Sequence, residues 1–462
     1  MNNMNKKKTT KILAAYITVF MVTAAFVMPA SVAQPQNAAT PFTAGPVNPK
    51  NGGALWVQDS NGLTLQLCLD PSLCFFDPVV PGNLYSERIG FGPEAFWWLG
   101  ESSIKNKGFS ALLVMATEFA WATEEPAPGD QFPFTRLRFR LDPPADGTYT
   151  ITHPYGVDVF EGTKGVRIFV SHDIPFTAPG QNQGKIGPFL TRVYVPPDGP
   201  APGFISKGFD DVGPVTGSPL GTNYFEVRAV DPKGLPTIDL DNNINGVQSV
   251  VRTNDFSVMG QIATRHGVQV NRADYDLDPL DPGIAVFAST SNSTPLETIN
   301  VSGAGLTPTA MAAGPSDPTG VWKRYFTFIV NNVPPPSINV TNTLDPAEDP
   351  ACLTGDAFGP SCESTVVYPL IDRVTITKAY FYRSTGELEI LASSTDPGAT
   401  LTAFADDGTE LDVLTGGSLK IFNVAVPPAY VTVKSSFRGA DTEPVEVGFC
   451  ELAGSSNVCL RK

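Results

Sequence analysis

The chain has 462 residues, with 31 Lys and Arg against 46 Asp and Glu, a formal net charge of −15. That balance excludes nucleic acid and anionic membrane surfaces as natural partners, because both repel an acidic chain. Gly 42 and Pro 43 with Met 7 and His 3 describe many turns joined by short apolar strands, and the length suggests about three domains at roughly 150 residues each.

Residues 1–33 read as a secretory signal peptide. Lys6, Lys7, Lys8 and Lys11 form the basic segment, Ile12 to Met28 the apolar run, and Ser31-Val32-Ala33 a small-residue cleavage site. The rival reading is an uncleaved anchor, but the run is short for a membrane span. Cleavage after Ala33 removes four lysines and no acid, so 31 − 4 = 27 basic residues face 46 acidic ones, a net of −19. The expected product is secreted, extracellular or cell-surface, with no transmembrane anchor after cleavage.

Residues 34–49 are Ala-, Pro- and Thr-rich and are expected to form a linker. Residues 50–264 read as one β-rich domain. Ala54-Leu55-Trp56-Val57 and Leu63-Thr64-Leu65-Gln66-Leu67 flank Asn61-Gly62, a hairpin signal. Between Pro93 and Thr123, Phe109, Leu112, Leu113, Ala116, Phe119 and Ala120 recur at helical spacing, which predicts a short helical insertion. Trp97, Trp98 and Trp121 lie in the same stretch, either as an aromatic platform for a sugar or as part of the core. Thr135 to Leu141 alternates strictly, placing Arg136, Arg138 and Arg140 on one strand face and Leu137, Phe139 and Leu141 on the other.

The last two hundred residues contain one pattern twice. Val268-Gln269-Val270-Asn271-Arg272-Ala273 and Ile284-Ala285-Val286-Phe287 have counterparts in Val374-Thr375-Ile376-Thr377-Lys378-Ala379 and Leu388-Glu389-Ile390-Leu391. Each copy then reaches a proline pair and a closing strand, Pro335-Pro336-Ser337-Ile338 and Pro427-Pro428-Ala429-Tyr430. Alternation over units of roughly 100 residues predicts two Ig-like β-sandwiches, 265–348 and 370–462, separated by a disulfide-containing linker at 349–369. The second carries a C-terminal disulfide loop. The expected fold is therefore all-β: a β-rich N-terminal domain with a short helical insertion, then two sandwiches.

Six cysteines fall into close pairs, Cys68/Cys74, Cys352/Cys362 and Cys450/Cys459. Export permits disulfides, and local pairing is the simplest of 15 connectivities. Zinc is the rival, without a C-x-x-C or a flanking His to support it.

Chemistry is sparse in the sequence. No G-x-S-x-G elbow and no H-E-x-x-H occurs, and the three histidines, His153, His172 and His266, have no evident companions. The balance leans away from an enzyme. Asp239, Asp241, Asn243 and Asn245 alternate as oxygen ligands before Gly246 and are candidate Ca²⁺ ligands. They match the start of an EF-hand loop, but Arg252 stands at its twelfth position, and an ordinary Asx turn is the alternative. Asp274, Asp276 and Asp278 could likewise share a strand face.

Several phrases resemble secreted bacterial proteins of uncharacterised function that join an N-terminal β-domain to Ig-like units. They are Gly147-Thr148-Tyr149-Thr150 with His153-Pro154-Tyr155-Gly156, Lys185 to Leu190, Thr216 to Phe225 and the two repeat openings. The resemblance implies this fold and an exported location. No activity is attached to that group, so it brings no site residue. Together these readings point to a non-catalytic structural or adhesive protein whose partner is a cell-envelope component, a polysaccharide or another copy of itself. The alternative is a carbohydrate-binding or carbohydrate-active protein.

Overall fold

In a computed structural model of the chain, the described residues are 42–448 without 183, 243–245, 292–294, 319 and 321, together with the backbone of 450–453 and 456–459. The signal peptide lies outside them.

The N-terminal half is built on a ten-stranded sheet. Its central strands are Phe256–Ile262, Ala95–Asn106, Phe109–Trp121, Gln131–Asp142 and Ile168–Pro175, antiparallel throughout. A second sheet runs Val250–Thr253, Phe225–Val230, Gly147–His153, Gly156–Gly162. Between the sheets lies one core containing Trp97, Leu113, Phe139, Tyr149, Ile151, Phe225 and Val227. Leu137, Phe139 and Leu141 are buried, with Arg136, Arg138 and Arg140 on the opposite face, as the alternation requires. The Asn61-Gly62 turn joins Val57–Asp59 to Thr64–Gln66, with Gly62 at φ 86°.

The helix expected between 93 and 123 is instead a long hairpin, Ala95–Asn106 with Phe109–Trp121, turning at Gly108 with φ 87°. Its apolar residues serve both faces of a sheet. Phe109, Ala111, Leu113 and Met115 fill the main core, while Ala116 joins a smaller cluster with Phe96, Leu99 and Met259. A strand apolar on both faces satisfies helical spacing by accident, and pairing along its whole length with Gln131–Asp142 decides the outcome. Among the described residues the one α-helix is Leu84–Ile89. Asn83 caps it by accepting from the Tyr85 and Ser86 amides, and Gly90 ends it at φ 88°.

Two further corrections concern linkers. Phe42–Ala44 is a buried strand of the large sheet, not part of a linker, because Phe42 packs on Phe176 and Phe189 at 5.2 and 5.6 Å. Residues 34–41 lie outside the described residues. Within 349–369, Thr365–Pro369 pairs with Ser337–Asn342, and just beyond it Ile371–Asp372, expected at the start of the second sandwich, pairs in parallel with Gln269–Asp276. Both complete the first sandwich. Their short length beside the cysteine loop hid their strand character.

The two sandwiches repeat one plan. In the first, Gln269–Asp276 pairs with Gly283–Ser291 and bulges at Val270/Arg272; in the second, Val374–Tyr382 pairs with Glu387–Ser394 and bulges at Ile376/Lys378. Each opening strand also takes a short parallel partner from the end of its unit. Separate cores centre on Ile284, Val286, Val301 and Val340, and on Ile390, Ala403, Val431 and Val433.

Candidate functional site

The outer face of the first sandwich's five-stranded sheet carries an apolar patch bordered by charged residues. Strand Trp322–Val330 turns Tyr325 inward, where its hydroxyl donates to the Glu297 carbonyl at 2.9 Å. Alternation sends Arg324, Phe326, Phe328 and Val330 outward. Phe326 and Phe328 are 42% and 41% exposed and Val330 75%. In register beside them stand Phe287 opposite Phe326, Ala285 opposite Phe328 and Gly283 opposite Val330. The Phe287 and Phe326 rings meet at 4.8 Å with a 45° tilt.

Two features hold this face in place. A Cβ added at Gly283 would stand 2.2 Å from Phe328 Cζ, so the ring lies where only glycine leaves room. On the far strand, the Arg272 guanidinium sits 4.2 Å above the Phe287 ring and its Nε lies 2.6 Å from Asp274 Oδ2. Such a face offers no nucleophile, acid or base. It offers contact area. Single exposed apolar residues are ordinary, but adjacent ones on a rigid sheet mark an interaction surface.

The sequence reading passed over Lys323 to Val330. Its signal was a strand with bulky apolar side chains at both alternating sets, Tyr325 and Ile329 against Phe326, Phe328 and Val330.

The residues singled out earlier are placed as follows. Trp97, Trp98 and Trp121 are buried, each indole N–H donating to a carbonyl, those of Ala54, Leu190 and Gly92. They are core, not a sugar platform. Asp239 Oδ1 accepts from the Asp241 and Gln248 amides at 3.3 and 3.1 Å, and the Gln248 bond leads in lowering its carboxyl pKa. Asp241 lines an open groove of about 400 Å³ with Asn106 and Arg252. Asn243 and Asn245 lie outside the described residues. Asp274 pairs with Arg272, and Asp276 with Arg373 at 3.2 Å.

Cys68–Cys74 and Cys352–Cys362 are disulfides. Cys450 and Cys459 are opposite each other in backbone register, with their side chains outside the described residues.

Two buried polar clusters were not foreseen. His153 Nδ1 accepts from the Tyr155 amide at 3.2 Å, which makes Nε2 the donor to Asp158 at 2.9 Å. Burial lowers the His153 pKa, opposed by Asp158. Ser218 accepts from the Thr222 amide and donates to the Pro154 carbonyl. Elsewhere Glu118 is buried with Arg136 Nη1 2.8 Å from Oε2. Burial pushes the Glu118 carboxyl up to about 8; Arg136 opposes this and Glu94 adds to it. Glu118 and His153 are buried, while the side chains of their partners Arg136 and Asp158 stay 14% and 16% exposed.

No family model matches the chain, and no curated protein matches it. The solved structures similar at low level include two bacterial adhesins. One concerns the host cell surface retention of a 1.5-MDa bacterial ice-binding adhesin, at 11% identity over 68% of this chain and 91% of that one, TM-score 0.17. The other is a Ca²⁺-stabilized adhesin with which an Antarctic bacterium binds ice, at 10% identity over 89% and 91%, TM-score 0.16. At such scores neither carries an argument about this chain.

Proposed function

We propose that the chain is an exported, non-catalytic extracellular or cell-surface protein with a structural or adhesive role. Its contact surface is the Phe287, Phe326, Phe328 and Val330 face of the first sandwich. The observation that carries this reading is the adjacency of three phenylalanines on one outward sheet face. Phenylalanine has no hydrogen-bonding group, so the face suits an apolar protein surface. Its tilted rings form a ridge and not the flat stacking platform a sugar prefers. The carbohydrate alternative has lost the support of its tryptophans.

The test is a pelleting assay. The mature chain from Gln34 is mixed with isolated cell envelopes, with calcium or with EDTA. Saturable pelleting, lost in a Phe326→Ser/Phe328→Ser variant of unchanged melting temperature, supports the reading. Equal pelleting of variant and parent, or no pelleting at all, overturns it. Loss in EDTA alone would give the Asp239 loop a calcium role.

A further inference from the structure

The second sandwich carries an outward face of different chemistry. Strands Leu401–Ala405, Tyr430–Ser435 and Ala440–Pro444 lie side by side, with Phe404 opposite Thr432 and Thr432 opposite Thr442. Together with Asp406, Phe404, Tyr430, Thr432, Lys434 and Thr442 line an open groove of about 330 Å³. Where the first sandwich shows phenylalanine and valine, this groove mixes rings with hydroxyls and charges.

The parts have definite positions. Tyr430 is 52% exposed on a strand hydrogen-bonded on both sides, so its ring is offered without loop motion. The Lys434 ammonium lies 4.7 Å from the Phe404 ring centre and makes no ion pair among the described residues. The Thr432 and Thr442 hydroxyls meet at 2.9 Å, and each keeps capacity for a further hydrogen bond. Asp406 is anchored by accepting from the Ala429 amide at 3.3 Å.

We propose that this groove binds a neutral pyranose ring of a polysaccharide. A pyranose has an apolar C–H face and a rim of hydroxyls that both donate and accept. An exposed tyrosine supplies the surface for the C–H face, and its own hydroxyl stays wet. Lys434 supplies donors, Asp406 acceptors, and the threonine pair both. A few convergent polar groups around an aromatic wall are what fixes a small ligand's orientation. One carboxylate and one ammonium leave the lining without net charge, which favours a neutral ring over a uronate. This site is separate from the phenylalanine face, and the two readings stand or fall independently.

The experiment uses the mature chain and saturation-transfer NMR with neutral hexasaccharides of glucose, galactose and mannose, and with hexagalacturonate. We expect saturable binding of a neutral hexasaccharide, with transfer strongest to ring C–H protons. Tyr430→Ala should weaken it roughly tenfold, about 1.4 kcal/mol. Lys434→Met should weaken it less. Phe326→Ser/Phe328→Ser should leave it unchanged, and so separates this site from the envelope-binding face. Tyr430 is exposed, so a circular-dichroism melt like the parent's shows that the variant is folded. No binding of any neutral hexasaccharide overturns the proposal, as does binding that Tyr430→Ala leaves unchanged. Preference for hexagalacturonate overturns the neutral assignment.

Discussion

Arg88 Nη2 donates to the Pro360 carbonyl at 2.9 Å and to the neighbouring Gly359 carbonyl at 3.1 Å. Arg88 belongs to the short helix of the N-terminal domain; Pro360 belongs to the loop closed by Cys352–Cys362. Nη1 adds an ion pair to Asp356 at 3.3 Å, and Tyr85 meets Phe358 edge-on at 5.2 Å. The disulfide loop is thereby docked on the preceding domain, and a separate contact between that domain and the first sandwich stacks Trp56 on Trp322 at 6.0 Å.

The bridge and the clamp should therefore be coupled. Cys352→Ser/Cys362→Ser is expected to cost about 2–3 kcal/mol through the unfolded chain. Arg88→Met should destabilise by a smaller amount, because it removes a donor from the Pro49, Gly359 and Pro360 carbonyls and the ion pair with Asp356. In the triple variant the effect of Arg88→Met should shrink, since an open loop no longer presents the Gly359 and Pro360 carbonyls in place. Thermal melts of the four species measure the coupling. Strict additivity would show that the clamp does not depend on the bridge.

Glu118 gives a pH dependence of defined sign. Its folded pKa, near 8, stands above the ordinary value of 4.5. Between those values the folded protein keeps a proton that the unfolded chain has released. Stability from this group is full below about 4.5 and falls as pH rises toward 8. Glu118→Gln removes the titration while keeping the shape. Its melting temperature should match the parent's near pH 5 and exceed it near pH 8.5. An unchanged difference between the two proteins across this range would contradict the assignment.

His153 acts in the opposite direction. Burial lowers its folded pKa below the unfolded value of 6.5. As pH falls below 6.5 the unfolded chain takes up the proton first, so this contribution is full above that pH and is lost on acidification. The hydrogen bonding agrees with a neutral ring, since Nδ1 accepts from the Tyr155 amide. His153→Gln should be less stable at pH 7.5 and show a flatter melting profile from pH 7.5 to 5.5. A variant as acid-sensitive as the parent would remove His153 as the source.

Gly283→Ala tests the aromatic face by sterics. The new methyl would meet the Phe328 ring at 2.2 Å, so the ring or the strand must shift. The expected cost is about 1–3 kcal/mol. Adding Phe328→Ala should relieve most of it, because the obstructing ring is gone. A Gly283→Ala penalty that persists without the ring would place its cause in the backbone.

Much of the fold was legible because its elements obey one period. Thr135 to Leu141 alternates between one buried and one more open face, and both repeat openings alternate up to a bulge that falls at an equivalent place in the two copies. The 95–121 hairpin was misread because it is apolar on both faces, where a strand and a buried helix look alike. The contact face was missed for a related reason. Phe326 and Phe328 stand out only once Tyr325 is known to point inward, and the sequence does not say which set is buried in a strand with bulky apolar residues in both. Trp97, Trp98 and Trp121 show the converse, since conspicuous residues proved to be core.

The most direct measurement is hydroxyl-radical footprinting of the mature chain, free and bound to cell envelopes. In the free protein Phe326, Phe328, Leu280 and Val426 should all oxidise, being 42%, 41%, 93% and 83% exposed. On envelopes, Phe326 and Phe328 should become protected while Val426 in the second sandwich stays reactive. Undiminished oxidation of Phe326 and Phe328 in the bound protein would contradict the proposed contact surface.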